Sequence, residues 1–196
     1  MPQKHGKTAY GDESIRISAP TPAYLMAATV LPDGCDLSAL AALKPKSAAK
    51  LHWRELTDAV RRESLACVAG LGGRTALVAA TPLPRRKQER GRRKCLEVLL
   101  PELERAGVDT LVLESRVLQL NDRDIDMLQA MRARKFVEAI ALEHAHASDE
   151  ARLWVPDQIL GAYGDWLCDE REARKWGDSW LEILSGLKVL EARLLK

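Results

Sequence analysis

The sequence predicts an α/β domain in which a mixed sheet of about five to six strands carries helices on both faces. Two strand-like runs, at about 8–17 and 23–31, flank a proline-rich turn and could pair as an antiparallel hairpin. A third run at 50–56 alternates apolar and polar residues, which is typical of a strand. Later runs at 75–81 and 109–115 alternate with helical segments, and the first of these is largely apolar, as expected for a strand covered on both faces.

Helical periodicity and capping residues place helices around these strands. The predicted helices cover about 37–43, 58–71, 85–106, 122–134 and 156–168, with a last helix within 171–196. The run 136–144 fits both the spacing of a helix and the alternation of a strand because of its alanines, and we favour a strand. We therefore expect a flexible basic tail at 1–7, one domain at 8–170, and a C-terminal helix at 171–196. That helix would pack on the domain or on a partner, for example in a homodimer.

The composition indicates one folded domain without a strong overall charge. The chain has 196 residues, of which 46 % are hydrophobic and 30 % charged, and its formal net charge is +2. Attraction to nucleic acid must therefore come from a local patch. The four cysteines have no paired spacing, and no apolar run approaches the roughly 18 residues of a membrane span. We expect a cytoplasmic protein.

Three acidic residues occupy positions that suggest a shared site. Asp12 lies in the middle of the first strand, where a carboxylate is costly to bury without a partner. Glu114 ends the strongest strand, and Asp157 opens a late helix. A single acid at a helix start is more often a partner of the helix dipole. Taken together, the three acids could converge at one end of the sheet and hold a divalent metal.

In their order along the chain, these residues resemble a bacterial family of unknown function that carries a ribonuclease-H-like fold. Residues 10–14, Tyr-Gly-Asp-Glu-Ser, resemble its first strand, which usually reads aromatic-x-Asp-Glu-Ser-Gly. Asp157 and the small residues after it resemble the closing helix motif. Residues 50–53 resemble the third strand, and Glu114 stands where the central strand usually has Asp. Ile15 replaces the usual Gly.

The resemblance implies a nuclease that uses Mg²⁺ or Mn²⁺ to cleave RNA or DNA. Such enzymes place two cations about 3.5–4 Å apart. Asp12 would bridge both cations, and Glu114 and Asp157 would each hold one. Glu63 on the first long helix and Glu13 are the candidates for a fourth ligand, although strand alternation points Glu13 to the opposite face.

Three further polar residues are expected beside the acids. Ser14 follows the Asp-Glu pair of the first strand. Lys50 and His52 would share one face of the predicted third strand, and His52 could carry protons.

A basic run at 85–94 is the candidate nucleic-acid contact. Its cations are Arg85, Arg86, Lys87, Arg90, Arg92, Arg93 and Lys94. Like charges crowded near a helix start are unfavourable, and a polyanion would relieve the repulsion. A solvated helix start is the simpler interpretation, and contacts from such a patch would go to phosphates without sequence information.

Two other functions stay open at this point. One is a non-catalytic module that binds nucleic acid or protein with the same fold. The other is a phosphoesterase that acts on small molecules with the same metal chemistry.

Overall fold

The computed structural model describes residues 6–84 and 86–194, and in this part of the chain the strands form one six-stranded sheet. The strands are β1 (Lys7–Arg16), β2 (Ala23–Val30), β3 (Arg74–Thr81), β4 (Val108–Glu114), β5 (Ala141–Ala145) and β6 (Lys188–Arg193), in the order β5-β4-β1-β2-β3-β6. β2 pairs antiparallel with both β1 and β3. The other three pairings, β1–β4, β4–β5 and β3–β6, are parallel. The predicted mixed sheet is confirmed.

Helices cover both faces of this sheet. They are α1 (Ser38–Ala42), α2 (Asp58–Gly70), α3 (Gln88–Arg105), α4 (Leu118–Ala133), α5 (Trp154–Cys168), α6 (Glu170–Ala173) and α7 (Gly177–Gly186). Tyr24 and Met26 of β2 belong to the core beneath α3 and α4. Leu25 and Ala27 belong to the core on the other face, which includes residues of α5 and α7. This division follows from strand alternation, which sends successive side chains to opposite faces.

The segment 50–56 is not a strand, which corrects the third-strand prediction. It is an irregular loop followed by the 3₁₀ turn Trp53–Glu55. Leu51 and Trp53 are buried, whereas Lys50 and His52 are half-buried, so the alternation in the sequence reflects burial alone. The backbone N–H of Trp53 donates to Asp157 of α5 instead of a neighbouring strand. The third strand of the chain is therefore β3.

The C-terminal helix is shorter than predicted and a strand follows it. α7 ends at Gly186, and β6 adds to the edge of the sheet beside β3. Trp176 and Trp180 are buried in this chain's own core, where the Trp176 ring meets Trp53 edge-on at 5.1 Å between centroids. An open sheet edge offers unpaired backbone groups, and it selects the extended form for residues whose spacing also suits a helix.

The remaining predictions differ from the structure mainly at boundaries. α3 begins at Gln88 instead of 85, and α4 begins at Leu118. The run 136–144 is a strand only from Ala141 onward. Lys7 already belongs to β1, and residues 1–5 of the expected tail lie outside the described residues. No described helix is long and apolar enough to span a membrane.

Candidate active site

The fold brings the three acids onto one face of the sheet. Tyr10 of β1 and Val112 of β4 are packed in the core beside α5. Asp12 and Glu114 each lie two residues further along the same strand, so their side chains point to that same face of the sheet. Gly11 pairs with Leu113 in the parallel register, which makes Asp12 and Glu114 the next neighbours along the two strands. Asp157 of α5 interacts with Asp12 from above the sheet through charge and a side-chain hydrogen bond.

Asp12 is a buried acid with a strongly shifted pKa. Only 9 % of its surface is exposed. Burial raises its pKa well above the usual range, and the like charges of Asp157 and Glu114 raise it further, while Lys50 opposes them. The backbone N–H of Glu13 donates to its Oδ1 at 2.7 Å. A cation placed among these carboxylates would relieve their repulsion.

Hydrogen bonds hold Asp157 in one orientation. Its Oδ1 lies 2.8 Å from His52 Nδ1, and its Oδ2 accepts from the Trp53 backbone N–H at 2.7 Å. Gln158 Nε2 also donates to Oδ2, at 2.9 Å, and Ser64 Oγ donates to Gln158 Oε1 at 2.9 Å. The hydrogen bond that His52 donates to Asp157 raises the pKa of His52. Sequence reasoning missed Ser64 and Gln158, because neither carries charge or a motif.

Two glycines let α5 lie close enough for these contacts. A Cβ on Gly161 would stand 2.0 Å from Cγ of Trp53, and one on Gly164 would stand 1.9 Å from Nε of Arg16. Arg16 Nη2 donates to the carbonyl of Gly161 at 3.1 Å. The helix that carries Asp157 is therefore seated directly on the Trp53 turn and on the end of β1.

Lys50 joins the acids from the loop before this turn. Its Nζ donates to Glu114 Oε1 at 2.5 Å. Burial lowers the pKa of Lys50, but the hydrogen bond and charge of Glu114, together with the charges of Asp12 and Asp157, outweigh it and raise this pKa. The structure thus places both Lys50 and His52 beside the acids, although from a loop instead of a strand.

The oxygen donors match the chemistry of Mg²⁺ and Mn²⁺, which prefer carboxylates and keep several waters. Asp12, Glu114 and Asp157 are the residues that would hold such a cation. Within residues 6–84 and 86–194, however, no three His, Cys, Asp or Glu side chains already form a group that could hold a metal. The ammonium of Lys50 lies against Glu114, so cation binding requires these side chains to rearrange.

The two candidates for a fourth ligand lie elsewhere. Glu63 is exposed on α2. Glu13 faces the opposite side of the sheet, where it contacts the Tyr24 hydroxyl and the Arg92 guanidinium. Strand alternation predicts this orientation of Glu13. Ser14 is half-buried and lines a cavity of about 420 Å³ together with His52 and Asp157.

The basic run does not form one continuous surface. Arg92, which was expected to contact nucleic acid, is only 2 % exposed, and its guanidinium binds Asp124 of α4 at 2.7–3.2 Å and Glu13 of β1. Lys94 pairs with Glu97 at 2.5 Å. The other described cations of the run divide by exposure: Arg86, Lys87 and Arg93 are exposed, and Arg90 is half-buried. Arg85 lies outside the described residues.

Arg92 belongs to a buried polar network that the sequence did not reveal. Asp124 is 3 % exposed and also accepts from Arg116 Nη2 at 3.3 Å and meets His144 Nε2 at 3.1 Å. Burial raises the pKa of Asp124, but hydrogen bonds from His144 and Arg92 dominate and lower it to about 2. This network ties α3, α4 and β5 together on the face opposite Asp12.

Comparisons with known proteins identify no family for the chain. No protein-family model matches it, and no curated protein matches it significantly. Among solved structures, it is similar to one described as the complex of PCNA and RNase HII from Archaeoglobus fulgidus. The identity is 16 %, the match covers 88 % of this chain and 79 % of that chain, and the TM-score is 0.49. A likeness this distant carries no argument about activity or partners.

Proposed function

We propose that this chain is a metal-dependent phosphodiester nuclease with a ribonuclease-H-like fold, acting on RNA or DNA through Asp12, Glu114 and Asp157. The observation that carries the proposal is the convergence of the three acids. Asp12 is buried and has Asp157 and Glu114 as its like-charged neighbours. Burying like charges together is expensive, and perturbed carboxylates of this kind concentrate at functional sites.

Each residue has a role that its contacts support. Asp12, Glu114 and Asp157 would hold Mg²⁺ or Mn²⁺, which when bound activates water and stabilises the leaving oxygen. His52 fixes the orientation of Asp157 through Nδ1 and can hold a proton there, since the carboxylate favours the imidazolium. Ser14 lines the adjoining cavity, where a hydroxyl can donate to a substrate oxygen.

Exposed cations lie near this cavity. Arg54 lines it together with His52 and Asp157. Gln88, the first residue of α3, lines it as well, and Arg86 and Lys87 immediately precede Gln88 in the chain. The remaining exposed part of the basic run therefore starts next to the acids. A nucleic-acid backbone lying in the cavity would meet positive charge on this side, which supports a polyanionic substrate.

Metal-dependent cleavage tests the proposal. Labelled single- and double-stranded RNA and DNA and an RNA–DNA hybrid are incubated with Mg²⁺ or Mn²⁺ and the wild type, Asp12→Asn, or Asp126→Asn. Asp126 is exposed on α4 and serves as the matched control. We expect cleavage of at least one substrate class by the wild type and the control, and its loss in Asp12→Asn. Cleavage that survives Asp12→Asn would contradict the assignment of the acids.

The contact surface needs a separate test with residues that are truly exposed. Lys87→Glu combined with Arg93→Glu should weaken binding and reduce the slope of log affinity against log salt by about two, one for each lost phosphate contact. An unchanged slope would move the contact surface elsewhere. Arg92 is unsuitable for this test because its substitution disturbs the buried network.

A binding module without catalysis is the second candidate. It is favoured by one observation, the seating of the Lys50 ammonium on Glu114 where a cation would otherwise bind. Retained nucleic-acid binding without cleavage under any metal condition would support this candidate.

A further inference from the structure

Lys50 places an ammonium among the three acids. Its Nζ donates to Glu114 Oε1 at 2.5 Å, and it also interacts through charge with Asp12 and Asp157. The next residue, Leu51, is fully buried, so the backbone beneath Lys50 is fixed by packing. The side chain itself is 30 % exposed and can therefore turn toward solvent without breaking that packing.

The charges of the cluster explain why an ammonium lies there. Three carboxylates face one ammonium, and Glu114 is the carboxylate that this ammonium binds directly. A divalent cation would use the same oxygens. A lysine can leave this carboxylate when a cation arrives, because its charge sits on a flexible four-carbon stem and makes no fixed bidentate contact.

We propose that Lys50 is a built-in counterion that holds Glu114 while no divalent cation is bound, competes with the cation for this carboxylate, and leaves it when the cation binds. The inference rests on the proposed function only in that it takes Mg²⁺ or Mn²⁺ as the ligand of the acids. It assigns Lys50 a positioning and regulatory role, since metal affinity is then set partly by the protein's own ammonium.

The test compares metal affinity with and without the ammonium. Mn²⁺ binding to the full chain, treated with chelator and free of nucleic acid, is measured by calorimetry and by the electron paramagnetic resonance of free Mn²⁺. Lys50→Met removes the competitor and one positive charge from the cation's surroundings. Charges this close interact by more than 1.4 kcal/mol at a surface-like dielectric, so Mn²⁺ should bind about tenfold tighter or more.

Matched variants separate competition from other effects. Lys94→Met removes an ammonium with the same 2.5 Å carboxylate contact, to Glu97 on α3, and should leave Mn²⁺ affinity unchanged. Lys50→Gln keeps a hydrogen-bond donor to Glu114 without the charge and should also bind Mn²⁺ more tightly. Lys50→Arg keeps the charge and should not. Circular dichroism establishes that each variant is folded, and Lys50→Gln replaces Lys50→Met if the latter is not.

Unchanged or weaker Mn²⁺ affinity in folded Lys50→Met and Lys50→Gln would overturn the inference. So would the failure of every variant and the wild type to bind Mn²⁺ at all. The nuclease proposal can fail independently, because a chain that binds Mn²⁺ more tightly without Lys50 but cleaves no nucleic acid keeps the counterion role and loses the enzymatic one.

Discussion

Replacing Arg92 with methionine removes the guanidinium that links α3 to α4 and β1. In the native protein this group is 2 % exposed and binds both carboxylate oxygens of Asp124, at 2.7–3.2 Å, as well as Glu13. Methionine fills similar space but leaves Asp124, itself 3 % exposed, without the guanidinium that contacts both of its carboxylate oxygens. Breaking a buried pair from one side costs about 3–5 kcal/mol.

The lower end of that range applies here. Asp124 keeps Arg116 and His144 as partners after the substitution. We therefore expect the free energy of unfolding to fall by about 3 kcal/mol. With a urea dependence of about 2 kcal/mol per molar, the midpoint of unfolding should fall by about 1.5 M. Tryptophan fluorescence during urea titration measures this shift.

Arg93→Met is the matched control, because Arg93 is the exposed neighbour in the same helix. Its unfolding free energy should change by no more than about 0.5 kcal/mol. The folded-state pKa of Asp124 is lowered from 3.8 to about 2, so its stabilising contribution is present above pH 3.8 and is lost as pH falls toward 2. The difference between wild type and Arg92→Met should shrink over that interval. A loss below about 1 kcal/mol at neutral pH would refute the buried-network argument.

Three further outcomes are expected. The pKa of His52 is raised by its hydrogen bond to Asp157, so its imidazolium should persist above the usual pH 6.5 in an NMR titration and lose this shift in Asp157→Asn. The stability from this contact is complete below pH 6.5 and is lost as pH rises through the folded-state pKa. Gly161→Ala should cost about 1–3 kcal/mol of unfolding free energy, because its Cβ would stand 2.0 Å from the Trp53 ring. Asp12→Asn should raise the unfolding free energy at pH 7 without divalent cations by about 1 kcal/mol, because ionised Asp12 repels its neighbours.

Each of these three predictions has its own control or contradicting result. Gly70→Ala meets nothing within 4 Å and should not destabilise the protein, and a Gly161→Ala variant as stable as the wild type would contradict the close packing of α5. A wild-type His52 that titrates at or below pH 6.5 would contradict its pairing with Asp157. Loss of stability in Asp12→Asn would indicate that Asp12 is held by favourable contacts instead of strained by like charges.

The acids could be placed from the sequence because their positions follow local rules. Asp12 and Glu114 occupy strand positions that alternation assigns to a face, and Asp157 lies in the first turn of a helix. The sequence also placed Lys50 and His52 beside them, but for the wrong reason. Leu51 and Trp53 alternate with them through burial in a loop, and no strand ladder is present there.

Features that depend on distant partners could not be predicted in this way. β6 is a strand because the edge of β3 pairs with it, and the apolar spacing of its own residues also suits a helix. Arg92 lies in a run of cations, but its partner Asp124 is 32 residues away on α4. A charge run therefore shows where cations are concentrated and does not show which of them point inward.

Anomalous diffraction from crystals soaked in Mn²⁺ tests the metal site directly. We expect an anomalous peak about 2 Å from carboxylate oxygens of Asp12, Glu114 and Asp157. We also expect Lys50 Nζ to have moved away from Glu114 in the soaked crystals. Bound Mn²⁺ elsewhere, with these three carboxylates and the Lys50–Glu114 contact unchanged, would contradict the claim that the acids form a metal site.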